Sequence, residues 1–177
     1  NRIEYVEQRF NMLTIDLIKA WLFGVMAKYP QMKRIYIDET GLGQYIPDEL
    51  SKAFPRVESI GLNFASKETK EGFHRIRSEI FFDLKEEINK GLHFSPFLDK
   101  DLLKEAKREL CAIEYTIGNK SERYVREKHK TKEILGRSPD IADSLALMCH
   151  DGGGVSREKI DNAVALLKKS KKYYNNR

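Results

Sequence analysis

The stretch Gly136-Arg137-Ser138-Pro139-Asp140-Ile141-Ala142-Asp143-Ser144-Leu145-Ala146-Leu147 decides how this chain reads. Pro139 suits the first turn of a helix, where its missing N–H is no loss, and Ser138 is expected to cap that helix. Ile141, Ala142, Leu145, Ala146 and Met148 then supply an apolar face that buries the helix against something else. Asp140 and Asp143 fall three residues apart at its start, and positions i and i+3 share a face, so both carboxylates can address one spot. The helix macrodipole alone favours acids there. Two acids held on a rigid element also offer oxygen ligands to a hard divalent cation.

Working outward, Arg123, Arg126, Lys128, Lys130, Lys132 and Arg137 crowd the approach to this helix. Further upstream, Lys33-Arg-Ile-Tyr-Ile-Asp38 is a β-branched and aromatic run that reads as a buried strand ending on an acid. Glu39-Thr40-Gly41-Leu42-Gly43 follows. In open α/β sheets the side chains that handle ligands sit just beyond the carboxyl ends of strands, which is where Asp38 falls. The glycines permit a tight turn with room for a phosphate. They lack the third glycine of a dinucleotide fingerprint and the Gly-Lys-Ser/Thr ending of a P-loop, so nucleotide hydrolysis has no supporting motif. Asp38, Asp140 and Asp143 interleaved with basic segments form a pattern of carboxylates that must face phosphate. That arrangement makes sense with cations between: two Mg²⁺ or Mn²⁺ ions about 3.5–4 Å apart can clamp the attacking and leaving oxygens of a phosphodiester. Lys and Arg would hold the strand.

The remaining sequence predicts strands over 3–10 and 57–62, and helices over 14–29, 47–54, 67–90 and 99–109. A hairpin follows over 111–117 and 123–127, then helices over 130–135 and 139–149. This order is that of an α/β domain with a mixed sheet. Residues 1–150 are expected to form that domain, and 151–177 a glycine joint and a basic final helix belonging to it. At 177 residues, 41% hydrophobic and 33% charged with a net charge of +5, the chain is long enough for a real core and mildly basic. No apolar run has the length of a membrane span. Cys111 and Cys149 lack Cys-x-x-Cys spacing and read as small buried apolar residues in a reduced, intracellular setting. The four histidines show no close pairing, so His129 and His150 read as structural or exposed. Arg75 and Arg77 read as a solvated helix face.

Ile35-Tyr-Ile-Asp-Glu-Thr-Gly-Leu-Gly43 followed by Pro47-Asp-Glu-Leu50 resembles the second catalytic strand of the nuclease domain of bacteriophage large terminase subunits. Residues 136–147 resemble the closing helix of that family, and the order of elements between is similar. The resemblance implies an RNase H-like mixed sheet flanked by helices, and Mg²⁺- or Mn²⁺-dependent two-metal cleavage of double-stranded DNA concatemers during packaging. It implies as partners a terminase ATPase domain, a small terminase subunit and a portal, in the cytoplasm of a bacterial host. Carried over by position, Asp38 is the second catalytic acid and Asp140 the third. Asp143 matches an acid that Holliday-junction resolvases of the same superfamily use, and Glu39 is a further candidate ligand. Lys128, Lys130, Lys132, Arg137 and Arg126 are the candidate DNA contacts. The family's first catalytic Asp sits on an earlier strand, and none of Glu4, Glu7 or Asp16 fits that role. The chain is therefore expected to begin after that strand. Two alternatives stand beside this reading: a non-catalytic DNA-binding or assembly module of the same fold, and a resolvase-like nuclease acting on branched DNA.

Overall fold

In the computed structural model, residues 2–3, 6–7, 14–40, 44–68, 70–118 and 121–150 are described. In chain order the elements are β1 (Arg2–Ile3), α1 (Ile15–Lys28), β2 (Arg34–Asp38), α2 (Ile46–Ala53), β3 (Glu58–Leu62), α3 (Ile76–Asn89), β4 (His93–Phe94), α4 (Lys100–Cys111), β5 (Tyr115–Ile117), β6 (Arg123–Val125), α5 (Lys128–Leu135) and α6 (Asp140–Cys149). β2 pairs in parallel with β3, aligning Asp38 with Leu62, and α2 forms the crossover between them. β1 pairs in parallel with β4, and β5 pairs antiparallel with β6. The α/β class is as the sequence predicts, but no single mixed sheet forms among the described residues: two strand pairs are parallel and one is antiparallel. The three pairs are separate.

The core lies where α3 crosses α6. Ile80, Ala142 and Ala146 are fully buried there, together with Ile76, Leu84, Ile141 and Leu145. The two alanines lack the bulk that would hold the helix axes apart. Arg77 on α3 faces Asp143 on α6, while Asp83, further along α3, faces His150 at the end of α6. The two helices therefore run in the same sense.

Several boundaries differ from the sequence reading. Residues 67–68 and 70–75 are not helical, and α3 starts only at Ile76. The preceding loop folds back instead, so that the carbonyls of Ser66 and Phe64 accept from the N–H groups of Ile76 and Arg77. Gly72, at φ +88°, turns the chain so that Phe73 bridges to β6. β4 was not anticipated, because two residues carry too little pattern to read. Of the strand predicted over 3–10, Ile3 lies in β1 and Val6 and Glu7 are not strand; its other residues, like the final helix, lie outside the described residues. Cys111 is exposed rather than buried, since it ends α4 on its outer side.

The start of α6 differs most. Pro139, not Ser138, occupies the cap position, and its side chain can offer no hydrogen bond. The acceptor comes from α4: Glu109, 0% exposed, accepts from the Ala142 N–H at 2.8 Å. Its other oxygen pairs with Arg137 at 2.6 Å. A carboxylate 33 residues away thus does the work expected of the neighbouring serine. Glu109→Ala leaves that N–H and the Arg137 charge without their buried partner. It is expected to cost about 2–4 kcal/mol, read as a lowered midpoint in thermal or urea unfolding.

Candidate functional site

Asp38 is the last residue of β2. Its Oδ1 accepts from the Thr40 N–H at 2.9 Å, a local turn that fixes the carboxylate at the strand's carboxyl end. Asp143 reaches the same region from the first turn of α6 and is only 4% exposed. Helix geometry explains why it is buried and Asp140 is not. Asp140, Ser144 and Met148 form an i, i+4, i+8 row that faces outward, whereas Asp143 and Leu147 lie on the inner face. Met148 is therefore 46% exposed instead of joining the core. Among the described residues no hydrogen bond or ion pair ties the Asp140 side chain to Asp38 or Asp143.

Two cations meet the Asp143 carboxylate. Lys128 Nζ, from the first turn of α5, lies 2.6 Å from Oδ2. Arg77 Nη2, from α3, lies 3.6 Å from Oδ1. These are ion pairs: neither carboxylate oxygen has a well-formed hydrogen bond. Burial holds the Asp143 carboxyl above the usual carboxylate range; Lys128 and Arg77 oppose that rise, and the negative charge of Asp38 adds to it. The same burial pushes the Arg77 guanidinium down, with Asp143 resisting. Arg77 is 8% exposed, donates to the Arg126 carbonyl at 2.6 Å and stacks on Phe81, so it is no part of a solvated face.

A recess of about 390 Å³ opens beside these groups, lined by Asp38, Thr40, His74, Arg75, Lys128 and Lys132 among others. The basic residues noted in the sequence divide here. Lys128 and Lys132 face the recess. Lys130 pairs with Glu133 one turn on, at 3.1 Å. Arg126 pairs with Glu114 across the hairpin, at 2.7 Å. Arg137 is held by Glu105 and Glu109, both at 2.6 Å, and acts as a strut between α4 and the start of α6. Arg75, read from sequence as solvated helix face, lies at the recess wall just before α3 begins. His74 and Tyr124 join it there, in edge-on ring contact. No sequence signal marked that pair, because the turn at Gly72 is what brings them together.

Glu39 takes a different course from Asp38. Its carboxylate occupies the space that a side chain at Gly61 would need, and burial together with Asp48 raises its pKa. The glycines at 41 and 43 lie outside the described residues. Asp38 and Asp143 therefore lie near enough to interact electrostatically, Asp38 half-buried at the recess and Asp143 buried behind Lys128 and Arg77. Oxygen donors of this kind suit a hard divalent cation such as Mg²⁺ or Mn²⁺.

No protein-family model matches the sequence, and no curated protein is significantly similar to it. Solved structures are similar. A lysine-to-alanine mutant of the nuclease domain of the large terminase subunit of bacterial virus Sf6, with manganese, superposes with a TM-score of 0.65 at 16% identity, covering 78% of this chain and 75% of that one. The corresponding mutant with calcium gives 0.65 at 16% identity over 78% and 74%. The Sf6 domain without the mutation gives 0.61 at 16% identity over 75% and 70%. The chain thus has the RNase H-like fold of a terminase nuclease domain.

The position of Lys128 leads to a titration test. Because the folded chain holds the Asp143 proton more tightly than the unfolded chain, ionising Asp143 costs stability. That cost appears as pH rises from the ordinary aspartate range through the raised value. Lys128→Ala removes the largest influence opposing the rise. The Asp143 carboxyl midpoint, followed by ¹³C NMR, is expected to move further up; an unchanged or lower midpoint contradicts the ion pair.

Proposed function

We propose that this chain is a divalent-metal-dependent endonuclease domain of the phage terminase type, acting on double-stranded DNA. The observation that carries the reading is a recess lined by Asp38, Arg75, Lys128 and Lys132, with the buried Asp143 paired to Lys128 at its wall and close enough to Asp38 to feel its charge. The RNase H-like fold supports it. Asp38 and Asp143 would hold Mg²⁺ or Mn²⁺, which when bound lowers the pKa of an attacking water and stabilises a departing oxygen. Asp140, on the outward row of α6, stands outside this pair. Glu39, turned across Gly61, does so too.

The chain's own residues have separable tasks. Lys132 and Arg75, exposed at the recess wall, are the groups that meet the phosphates of an incoming strand. Lys128 holds Asp143 while no divalent ion is bound and can turn its ammonium to the scissile phosphate once one takes its place. Arg77, anchored on the Arg126 carbonyl, keeps the buried carboxylate oriented. These are contacts of charge with phosphate, so binding is expected to fall steeply with salt and to depend little on sequence. In the wider reading the domain works beside a terminase ATPase domain, a small terminase subunit and a portal, in the host cytoplasm. It trims concatemeric genomes during packaging.

The test is Mn²⁺-dependent nicking of supercoiled plasmid, with Mn²⁺ binding measured in parallel. The nicking assay uses the 177-residue chain. Asp38→Asn and Asp143→Asn are each expected to lower the nicking rate at least about a hundredfold and to weaken Mn²⁺ binding, while Asp140→Ala stays within about twofold of the parent. Loss of activity in Asp140→Ala with retention in Asp143→Asn would reverse the assignment. Failure of the parent to bind Mn²⁺ at all would favour the non-catalytic DNA-binding module.

A further inference from the structure

At the far end of the α3–α6 pair lies a second cluster that the site above does not use. Glu79 and Asp83 stand one turn apart on α3, and His150 closes α6; they are 0%, 7% and 2% exposed. Two buried carboxylates and a buried imidazole need partners. Lys70 supplies part of what is required. Its N–H donates to Glu79 Oε2 at 3.0 Å, and its ammonium meets Asp83 Oδ1 at 2.7 Å. The second oxygen of each carboxylate faces the imidazole instead. His150 Nδ1 lies 3.4 Å from Asp83 Oδ2 and 3.8 Å from Glu79 Oε1. Neither ring nitrogen of His150 has a hydrogen-bond partner, and neither does Asp83 Oδ2, although the His150 side chain is 0% exposed.

The spacing is informative. A charge-assisted hydrogen bond between imidazolium and carboxylate would close to about 2.8 Å. Two ligand atoms each about 2.1 Å from a tetrahedral metal stand about 3.4 Å apart. One ligand atom from each of the three residues falls within 4.8 Å of the others. The backbone is also fixed, because the Tyr36 hydroxyl donates to the His150 carbonyl at 3.3 Å. A recess of about 540 Å³, lined in part by Tyr36, Lys70, Asp83 and His150, provides access and space for a water ligand.

We propose that Glu79, Asp83 and His150 form a second divalent-cation site, separate from Asp38 and Asp143 and suited to Zn²⁺. The imidazole sets its preference, since nitrogen donors favour zinc while all-oxygen sets suit magnesium and manganese. Lys70 meets Asp83 through its ammonium, while Asp83 Oδ2 and both His150 ring nitrogens keep no hydrogen-bond partner and are available to a divalent ion. Bound there, the ion ties the end of α6 to α3 and so steadies the helix that carries Asp143. The proposal does not depend on the nuclease reading.

The experiment loads the 177-residue chain with Zn²⁺, dialyses it, and measures metal content together with X-ray absorption at the zinc edge. The expected result is one retained Zn²⁺ with one imidazole in its shell. It should persist in the Asp38→Asn/Asp143→Asn double variant and in His74→Gln, and bind at least about tenfold more weakly in His150→Gln and Asp83→Asn. His150→Cys keeps a ligand at the same place and should retain zinc with sulfur replacing nitrogen, which separates a lost ligand from a lost fold. The proposal is overturned if the parent holds no imidazole-bound zinc, if His150→Gln binds it as tightly, or if the Asp38/Asp143 double variant loses it. Mn²⁺-dependent nicking in that double variant reports on the first site alone.

Discussion

A single buried carboxylate organises the end of the α3–α6 pair that lies beside Asp38. Asp143 sits in the first turn of α6 with almost no access to water, and an ionised aspartate there must be met by charge from other elements. Arg77 reaches it from α3 and Lys128 from α5. That requirement fixes how the three helices approach one another. It also explains why α3 begins where it does: a helix continued back through residues 67–75 would replace the loop whose turn at Gly72 joins the β6 hairpin to the wall of the recess.

The same constraint sorts a run of basic residues that looks uniform when written out. Arg137 precedes the helix, and the Glu109 carboxylate that caps α6 binds it, so its charge is spent within the fold. Arg126 and Lys130 pair with acids on their own hairpin and helix. Lys128 and Lys132, four residues apart on α5, share the face that looks into the recess, and Arg75 joins them from a different segment. Charge density along the chain is therefore a poor measure of charge offered to a ligand.

The parallel α3–α6 pair gathers charged groups at both ends, about 10 Å apart along the helix by the rise between positions 143 and 150. At one end oxygen donors and cations face a recess beside Asp38; at the other an imidazole and two carboxylates close on one another. The buried alanines of α6 and Ile80 of α3 pack the space between. Because that middle is tightly packed, a group that locks one end of the pair limits the motion of the other.

The sequence by itself determined the alternation of strands and helices, the strand that ends on Asp38, the hairpin, and the helix that starts at Asp140. These follow from apolar periodicity, turn residues and proline, all of which act over a few residues. It also marked acids and basic segments as belonging together. Which acid turns inward was decided by tertiary structure. Asp140 and Asp143 differ by 60° around the helix, and only packing against α3 selects the face that is buried. The cap from Glu109, the inward turn of Arg77 and the meeting of Glu79, Asp83 and His150 all join segments at least 33 residues apart or on different elements. Such contacts leave no local period to read, because the cost of an unpartnered buried charge is felt only once the chain has closed around it.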